Sequence, residues 1–472
     1  MPEHYQVTII GTGPGGYVSA IRAAQLGLRT AVVEKDELGG TCLNWGCIPT
    51  KSWVVTAHLF EQIKRAKEYG IVVGEPKLDW GLLVARKNKI VKQLTGGVKT
   101  LLSGRGVDIH RGTAKLASAN RVVVAGADGS SNEFTSDHIV LATGAAAWNP
   151  PGWSLDGERI ISSKEALDLT AQPKRIAILG GGVIGCEFAC FFAAVGTQVA
   201  LIEMLPKLVM AEDEEISQAL EREMKKQKIA LHLGTKVEDR RDNSDGSITL
   251  TLTGGKTLDV DCVLIATGRR PFSEGLGLEA LGISRADRGK ISVNERLQTS
   301  VPSIYAIGDV TDMKQLAHFA SAQGKAAAEV IAGHSPQTNW RAVPAATFTS
   351  PEIASVGMTE AEARAEGRKV KVGRFPFRAH GRNIADGETT GFVKIVGDAD
   401  SDQILGTHIF GAKASELIHE ASLAIGADLD VAHLSQAIHA HPTMSEVIGE
   451  AAEDADALAI HLLRQEAKPV GK

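Results

Sequence analysis

Residues 6–16 read QVTIIGTGPGG, an apolar run that ends in a glycine-rich turn. The apolar run predicts a buried strand, and the pattern after it predicts a helix that continues through Leu26. Glycines at the first, third and sixth positions of such a turn, here Gly11, Gly13 and Gly16, permit a tight bend and a close approach of the backbone to a pyrophosphate. The helix N-terminus adds backbone amides that attract phosphate charge. This stretch therefore predicts a strand–turn–helix unit that binds a dinucleotide.

The same unit occurs a second time in the chain. Residues 175–185 read RIAILGGGVIG, which places Gly180, Gly182 and Gly185 in the three glycine positions. In both copies a second strand ends at an acidic residue, Glu34 or Glu203, which lies 23 positions after the first glycine. A carboxylate at that distance accepts hydrogen bonds from a ribose. One glycine-rich turn alone is weak evidence, but two complete units predict two bound dinucleotides.

Later segments extend this organisation. Residues 139–144 and 263–268 are apolar runs that end in Ala-Thr-Gly, and each is predicted to close one nucleotide-binding unit. Towards the C-terminus the pattern changes to antiparallel strands, at residues 390–396 and 404–410, followed by helices. We therefore expect an α/β protein with two Rossmann-like dinucleotide-binding domains and an α+β C-terminal domain.

Length and composition limit the classes of protein that fit. The chain has 472 residues, enough for about three domains, and its 43% hydrophobic and 23% charged residues are ordinary for a globular protein. The net charge is −5 and no basic stripe stands out, which gives no support to nucleic-acid binding. No apolar run approaches the ~20 residues that span a bilayer, and residues 1–6 do not resemble a signal peptide. We expect a cytoplasmic protein without a membrane span.

Two of the five cysteines lie close together, directly after the first nucleotide-binding unit. In a reducing compartment such a pair is more often catalytic or metal-binding than structural, and no Cys or His cluster with metal spacing lies near Cys42. One helical turn plus a residue separates Cys42 from Cys47, so the sulfurs are within reach of a disulfide, and Gly46 allows the local distortion. Pro49 fits near a helix start, where a thiolate is stabilised. A pair of buried structural thiols is the alternative, and we expect no metal.

A second group of polar residues lies near the C-terminus, where residues 439–446 read HAHPTMSE. A histidine and a glutamate on either side of a proline turn can form a hydrogen-bonded pair in which the carboxylate fixes the tautomer and raises the basicity of the ring. Oxidation of a dithiol needs such a base, since a thiol with a pKa of about 8.5 is mostly protonated at neutral pH. His441 and Glu446 are therefore candidate catalytic residues.

Taken in chain order, these motifs resemble those of the pyridine-nucleotide disulfide oxidoreductases. The resemblance rests on the two glycine-rich units, residues 39–51 (GGTCLNWGCIPTK), the Ala-Thr-Gly strands, residues 308–309 and residues 439–446. It covers nearly the whole chain, and such an ordered set is highly specific for the family. Within the family, the pattern is most similar to members that oxidise dihydrolipoamide. The resemblance implies bound FAD and NAD, a redox-active Cys42–Cys47 disulfide and a homodimer.

The resemblance also assigns roles to single residues. Those implied to bind FAD are Gly11, Gly13, Gly16, Glu34, Thr41, Lys51, Ala114, Thr143, Gly144, Asp309 and Ala317. Those implied to bind NAD are Gly180, Gly182, Gly185, Glu203, Val237 and Gly268. Lys51 is implied to lie at the reactive edge of the flavin, paired with Glu187. Asp309 is implied to hold the ribityl chain, and we expect it to be exposed at the end of a short strand.

For catalysis, the resemblance implies that Cys42 exchanges with the substrate and that Cys47 lies against the flavin. His441, oriented by Glu446, is implied to be the base, supplied by the other subunit of the homodimer. The implied partner is a lipoyl-bearing protein of a 2-oxoacid dehydrogenase complex or of the glycine cleavage system. The implied domains are an FAD-binding domain (1–150 and 275–345), an NAD-binding domain (151–274) and a C-terminal interface or dimerisation domain (346–472).

Other members of the family fit the sequence less well. Those that reduce glutathione usually have a second Lys before the position of Lys51 and an Arg-rich stretch that binds the 2′-phosphate of NADP, whereas Thr50 precedes Lys51 here and only Lys207 follows Glu203 closely. Mercuric reductases and the larger thioredoxin reductases need a further cysteine near the C-terminus, and no cysteine follows Cys262. A docking subunit without rapid turnover is an alternative from another class, and the intact set of candidate catalytic residues argues against it.

Overall fold

The computed structural model describes residues 3–336 and 339–463. In these residues the strands are β1 (Glu3–Ile10), β2 (Thr30–Glu34), β3 (Asp108–Arg111), β4 (Thr113–Ser118), β5 (Arg121–Ala125), β6 (Ser131–Leu141), β7 (Ala145–Ala147), β8 (Ile160–Ile161), β9 (Arg175–Leu179), β10 (Gln198–Ile202), β11 (Ala230–His232), β12 (Val237–Asp242), β13 (Ile248–Leu252), β14 (Thr257–Val260), β15 (Cys262–Ile265), β16 (Arg269–Pro271), β17 (Ile304–Ala306), β18 (Ala345–Thr347), β19 (Ile353–Gly357), β20 (Val370–Pro376), β21 (Gly391–Asp398) and β22 (Ile404–Gly411). The α-helices are α1 (Pro14–Gln25), α2 (Gly40–Asn44), α3 (Cys47–Lys64), α4 (Trp80–Gly104), α5 (Ser163–Ala166), α6 (Val183–Ala194), α7 (Glu214–Lys226), α8 (Ala317–Ile331), α9 (Glu360–Ala365), α10 (Gly381–Ala385), α11 (Ala414–Gly426), α12 (Val431–Ser435) and α13 (Glu446–Ala455).

The chain divides into two compact units. Unit 1 comprises Met1–Pro173 and Cys262–Thr338, and unit 2 comprises Lys174–Asp261 and Asn339–Lys472. The boundaries of the three expected domains stay a prediction, and residues 464–472 of the expected C-terminal domain lie outside the described residues. No helix in the described part of the chain is both long and apolar enough to cross a membrane.

In unit 1 a seven-stranded sheet positions the first glycine-rich turn. Its parallel part has the order β3-β2-β1-β6, and β17 pairs with the C-terminal half of β6. The register places Ile10 opposite Val33 and Leu141, and it places Ala306 opposite Leu141. The carboxyl ends of β1, β2, β6 and β17 therefore lie at one edge of the sheet, which is where open α/β sheets bind their ligands.

Apolar side chains on these strands form the core of unit 1. Tyr5, Ile10, Val33 and Leu141 are buried together with residues of β4, β5 and β17. Near-continuous burial along β1 and β2 is expected because parallel strands are covered on both faces. The antiparallel strands β4 and β5 alternate buried and exposed positions, as strands with one solvated face do.

In unit 2 the strands β9, β10 and β11 are parallel, and Leu179 lies opposite Ile202. The second glycine-rich turn and Glu203 therefore leave the sheet at the same edge. Further along the chain, β18-β19-β22-β21-β20 form an antiparallel five-stranded sheet, and apolar residues of α11 and α13 pack in the same core. The antiparallel strands predicted at 390–396 and 404–410 are confirmed as β21 and β22.

A buried cluster of charges lies in unit 2 at the start of α7. Lys394 on β21 is only 2% exposed, and its Nζ lies 2.9 Å from Asp213, 2.7 Å from Glu215 and 2.9 Å from Glu360. Burial lowers the pKa of Lys394, but these three carboxylates outweigh it and hold the pKa above its usual range. A buried ammonium is tolerated only when it is paired in this way, so the cluster fixes α7 and α9 against the sheet.

Candidate active site

The two glycine-rich turns have the same backbone shape. Gly11 and Gly180, the first glycines, have φ angles of +99° and +112°, a region that L-residues with side chains rarely adopt. A Cβ on Gly16 would lie 2.0 Å from the carbonyl oxygen of Gly11, and one on Gly185 would lie 1.9 Å from that of Gly180. Both turns therefore require glycine at these positions so that the helix can start directly against the turn.

The helices that follow the turns begin without a capping side chain among the described residues. α1 starts after Gly13 and α6 starts after Gly182, and these N-cap glycines have no side chain that could hydrogen bond to the first turn. A Cβ on Gly13 or Gly182 would meet no described heavy atom within 4 Å. The space beside each N-cap glycine is thus open and no side chain caps the helix there, so both turns fit the pyrophosphate of a dinucleotide.

The acidic residue of each unit has a structural task that the sequence did not reveal. Glu34 accepts hydrogen bonds from the amide of Thr12 and from the amide two positions beyond itself, both at 2.9 Å. Glu203 repeats the pattern, with the amide of Gly181 at 2.6 Å and the amide two positions further on at 2.7 Å. Each carboxylate therefore holds its own glycine-rich turn in place. The predicted hydrogen bonds to ribose stay a prediction.

Asp309 departs from its expected exposure. Its side chain is 22% exposed and pairs with Arg269, whose Nε lies 3.5 Å from Asp309 Oδ2. Burial raises the pKa of Asp309, while Arg269 and Lys290 oppose the rise. The expectation was wrong because the chain turns into a short 3₁₀ segment, Gly308–Val310, instead of leaving the sheet edge into solvent. A carboxyl group held in this setting fits the hydroxyls of a ribityl chain.

The other residues predicted to bind FAD lie at several places in unit 1. Thr143 and Gly144 follow β6 at the same sheet edge, and the Thr143 hydroxyl donates to the carbonyl of Phe272 at 2.6 Å. Ala317 begins α8, and Lys51 lies in the second turn of α3. Ala114 lies on β4 and is 5% exposed in the core of the unit. The cofactor contacts of all these residues stay predictions.

The segment that carries the two cysteines is attached to the first glycine-rich turn. The amide of Gly39 donates to the carbonyl of Thr12 at 3.0 Å, and a Cβ on Gly40 would lie 2.7 Å from the Cα of Gly13. Asn44 stabilises the segment, since its side-chain amide donates to the carbonyls of Leu38 and Gly40 at 3.0 and 2.9 Å. The cysteines are thus held beside the turn that fits the pyrophosphate.

The two cysteines lie on different helices, contrary to the expectation of one helical turn. Cys42 is in the short helix α2, whereas Cys47 is the first residue of α3. The break occurs at Gly46, whose backbone (φ −134°, ψ −118°) is not helical and whose Cβ would lie 2.7 Å from the carbonyl oxygen of Thr41. The predicted helix start near Pro49 is confirmed. Cys47 therefore lies at a helix N-terminus, where a thiolate is stabilised.

The electrostatics of the pair favour a single shared negative charge. A hydrogen bond with Cys47 raises the pKa of the Cys42 thiol most, followed by burial and the charge of Cys47, while Lys51 lowers it. The thiols are thus in hydrogen-bonding contact, and Cys42 keeps its proton when Cys47 is ionised. Cys42 is half-buried and Cys47 is exposed. The pair therefore suits electron transfer through one thiolate.

The residues predicted to bind NAD differ in burial and in the unit to which they belong. Gly180, Gly182 and Gly185 form the turn described above. Glu187 is 3% exposed, and its Oε1 accepts a hydrogen bond from the amide of Phe348 at 2.9 Å, so the pair with Lys51 stays a prediction. Val237 begins β12 and is half-buried. Gly268 belongs to unit 1, where it precedes β16 with a φ of +132°. The contacts of Val237 and Gly268 with NAD stay predictions.

The predicted histidine–glutamate pair forms in unit 2. His441 Nδ1 lies 2.8 Å from Glu446 Oε1, and the His441 side chain is 81% exposed. Glu446 Oε2 accepts a hydrogen bond from the amide of Thr443 at 2.8 Å. Burial raises the pKa of Glu446, but the hydrogen bonds from His441, Thr443 and His380 outweigh it and hold the pKa below its usual range. A carboxylate that stays ionised orients His441 as a base requires.

The sequence did not indicate that His380 contacts the pair of His441 and Glu446. The Nε2 of His380 lies 3.3 Å from Glu446 Oε2 although 66 positions separate the two residues. No local pattern predicts a contact across that separation.

The sequence pattern of the pyridine nucleotide-disulphide oxidoreductase family matches residues 5–324, and that of the family's dimerisation domain matches residues 343–452. The chain belongs to this family. Two relatives show the similarity over almost the full length of this disulphide oxidoreductase. Dihydrolipoyl dehydrogenase 1, mitochondrial, of Arabidopsis thaliana is 41% identical over 95% of this chain and 90% of its own. Dihydrolipoyl dehydrogenase of Geobacillus stearothermophilus is 40% identical over 97% of both chains.

Solved structures show the same fold as this disulphide oxidoreductase. LpdA from Mycobacterium tuberculosis has a TM-score of 0.89 at 28% identity, over 96% of this chain and 99% of that chain. RclA from Escherichia coli, an HOCl-induced flavoprotein disulfide reductase, has a TM-score of 0.85 at 29% identity, over 95% and 99%. Family membership and these structures confirm the predicted fold class, the enzyme class and the cofactors FAD and NAD. The matched dimerisation domain supports the predicted homodimer.

Proposed function

We propose that this enzyme oxidises dihydrolipoamide carried by a partner protein and reduces NAD. The observation that carries the proposal is the hydrogen-bonded pair Cys42 and Cys47, held beside the glycine-rich turn that fits the pyrophosphate of FAD. A cysteine pair at that place serves substrates that are themselves dithiols or disulfides, because exchange needs one sulfur for each sulfur of the substrate. The names of the two relatives given above support the same substrate.

The chemistry assigned to this chain's residues is thiol–disulfide exchange. His441 takes a proton from a thiol of dihydrolipoamide, and the resulting thiolate attacks Sγ of Cys42 in the oxidised pair. The Cys42–Cys47 bond breaks, and Cys47 leaves as a thiolate at the N-terminus of α3. The second substrate thiol then attacks the substrate sulfur of the mixed disulfide, which releases the cyclic disulfide product with Cys42 as the leaving group. The proton of this second thiol passes to Sγ of Cys42, while the first proton stays on His441. Two electrons have moved from the substrate to the cysteine pair.

The remaining assignments complete the cycle. FAD would be held at the first glycine-rich turn, beside the cysteine pair, and would supply the two-electron redox chemistry that connects this pair with NAD. Glu446 keeps His441 Nδ1 occupied, so Nε2 faces the substrate. We assign the partner as a lipoyl-bearing protein of a 2-oxoacid dehydrogenase complex or of the glycine cleavage system. We further propose that His441 acts on the cysteine pair of the second subunit of the homodimer. We also propose that the enzyme is cytoplasmic.

A parallel steady-state assay tests the proposed substrate. We expect rapid NAD reduction by dihydrolipoamide. We expect turnover near background for oxidised glutathione with NADH or NADPH, because Thr50 stands where members that reduce glutathione usually have a second Lys. We expect the same for a mercuric salt, because no cysteine follows Cys262 in this sequence. Absorbance near 450 nm reports the flavin content of each preparation. Faster turnover with glutathione or mercury than with dihydrolipoamide would refute the proposed substrate.

The preference for NAD is expected to depend on Glu203. Its carboxylate suits a ribose hydroxyl and repels a 2′-phosphate. Replacing Glu203 with Ala and the exposed Met204 with Arg should therefore raise the ratio of kcat/KM for NADP to that for NAD by roughly tenfold or more, the factor expected for one hydrogen bond to a charged group. The kcat/KM values for NADP and for NAD should both be lower than a change at the ribose alone would give, because Glu203 also holds the amides of Gly181 and Leu205.

The control for this experiment is Met204→Arg alone, which adds the cation and keeps the carboxylate. We expect this variant to change the NADP to NAD ratio less than the double variant does. If the NADP to NAD ratio of kcat/KM is unchanged in the double variant and flavin is still bound, Glu203 does not bind the ribose.

A further inference from the structure

We propose that His380 is a positioning residue for the base of this enzyme, holding Glu446 through a charged hydrogen bond so that Glu446 can orient His441. The inference rests on the proposed role of His441. His380 precedes α10 and is 9% exposed, so its ring is fixed by its surroundings. Its Nε2 lies 3.3 Å from Glu446 Oε2, and its Nδ1 lies 2.7 Å from Asn383 Oδ1.

The hydrogen bonds of Asn383 determine which ring nitrogen of His380 carries hydrogen. Asn383 is fully buried, and its side-chain NH₂ donates to the backbone carbonyl of Glu388 at 3.2 Å. A carbonyl only accepts, so this contact fixes the amide orientation and turns Asn383 Oδ1 towards His380. Because Oδ1 also only accepts, His380 Nδ1 must carry a hydrogen.

The other ring nitrogen of His380 then faces a carboxylate. A neutral ring with hydrogen on Nδ1 would direct the lone pair of Nε2 at Glu446 Oε2, which is repulsive. The contact becomes favourable when Nε2 also carries a proton, which makes the ring an imidazolium paired with the carboxylate. Glu446 is thus held between two imidazoles, with His441 at Oε1 and His380 at Oε2.

The charges around this arrangement come from several elements. Arg382 on α10 is paired with Asp386 at 2.9 Å, and its guanidinium reaches the carbonyl of Pro442 at 3.5 Å. On the other side, His461 is paired with Glu450 of α13, and the charge of Glu446 also acts on His461. These cations already have acidic partners. His380 is therefore the cation placed to compete with His441 for the charge of Glu446.

Two variants separate this role from simple packing. His380→Gln places a neutral amide donor near the position of Nε2, so it keeps a hydrogen bond to Glu446 and removes the charge. His380→Asn keeps a polar contact near Asn383 but does not reach Glu446. If His380 positions Glu446, turnover at the plateau of the pH profile stays close to wild type in His380→Gln and falls roughly tenfold in His380→Asn, the factor for one lost hydrogen bond to a charged group.

The pH profile of kcat/KM for dihydrolipoamide tests the charge. Removal of a cation beside Glu446 leaves more negative charge for His441, which then holds its proton more firmly. The acid limb of the profile is therefore expected to move up by roughly 0.5 to 1 unit in both variants. An unchanged acid limb in both variants would overturn the inference. A higher plateau in His380→Asn than in His380→Gln would also overturn it, because packing against Asn383 alone predicts that Asn is the better replacement.

Two controls distinguish the failure of this inference from the failure of the proposed function. NADH-dependent reduction of ferricyanide draws electrons from the flavin and should be equal in wild type and both His380 variants, which shows that these variants are folded and loaded. His441→Gln is assayed beside them. If His441→Gln retains full turnover with dihydrolipoamide, the role of the base itself fails. If only His441→Gln is impaired and the His380 variants match wild type, the inference about His380 alone is wrong.

Discussion

Replacement of Cys42 by Ser is expected to reduce NAD-dependent oxidation of dihydrolipoamide by at least about four orders of magnitude, a loss typical of removing a nucleophile. A serine hydroxyl cannot form the mixed disulfide, so exchange stops at its first step. The flavin should stay bound, because the segment is attached to the glycine-rich turn through Gly39 and is stabilised internally by Asn44, and neither contact involves the sulfur of Cys42. Stopped-flow turnover and the absorbance near 450 nm measure the two effects separately.

Cys47→Ser and Cys190→Ala complete this experiment. Cys47→Ser should also lose turnover, but it removes the thiolate at the N-terminus of α3, whereas Cys42→Ser leaves it. Long-wavelength absorption from a thiolate beside oxidised flavin should therefore persist in Cys42→Ser and be lost in Cys47→Ser. Cys190 is buried within α6, so its replacement tests for general effects of cysteine removal and should leave turnover near wild type. A colourless Cys42→Ser protein, or one with normal turnover, would contradict the assigned roles.

The sequence predicted those parts of the site that depend on local geometry. The 23 positions from the first glycine to Glu34 or Glu203 comprise one turn, one helix, a short connection and one strand, and that length varies little. The cysteine pair was also predicted, but its backbone was not. Helical spacing placed the two sulfurs one turn plus a residue apart, whereas Gly46 interrupts the helix and makes Cys47 the start of a new one. Cys47 therefore lies at a helix N-terminus, where the helix dipole stabilises its thiolate.

The parts that the sequence did not predict depend on contacts between distant residues. Lys394 is paired with Asp213, Glu215 and Glu360, which lie on other elements, and nothing near Lys394 in sequence marks it as buried. His380 reaches Glu446 across 66 positions for the same reason. Tertiary packing decides such pairs, because an isolated charge or imidazole is equally compatible with a solvated surface.

Replacement of His441 by Gln is expected to lower turnover with dihydrolipoamide by roughly two to four orders of magnitude, the usual contribution of a general base. Glutamine keeps a polar contact to Glu446 but cannot accept the thiol proton at neutral pH. Because the pKa of Glu446 is held below its usual range, its carboxylate stays charged as the pH falls below the ordinary Glu pKa. A loss of wild-type activity above the ordinary Glu pKa should therefore not come from protonation of Glu446.

Glu446→Gln provides the matched comparison for His441→Gln. The amide keeps the size of the side chain and can still accept from the amide of Thr443, but it removes the charge that faces His441. We expect a smaller loss than in His441→Gln, because the base is present but poorly oriented. Both variants should remain dimeric, since neither removes buried apolar surface, and both should reduce ferricyanide with NADH at the wild-type rate. Equal turnover of His441→Gln and wild type at pH 7, or a larger loss in Glu446→Gln than in His441→Gln, would exclude His441 as the base.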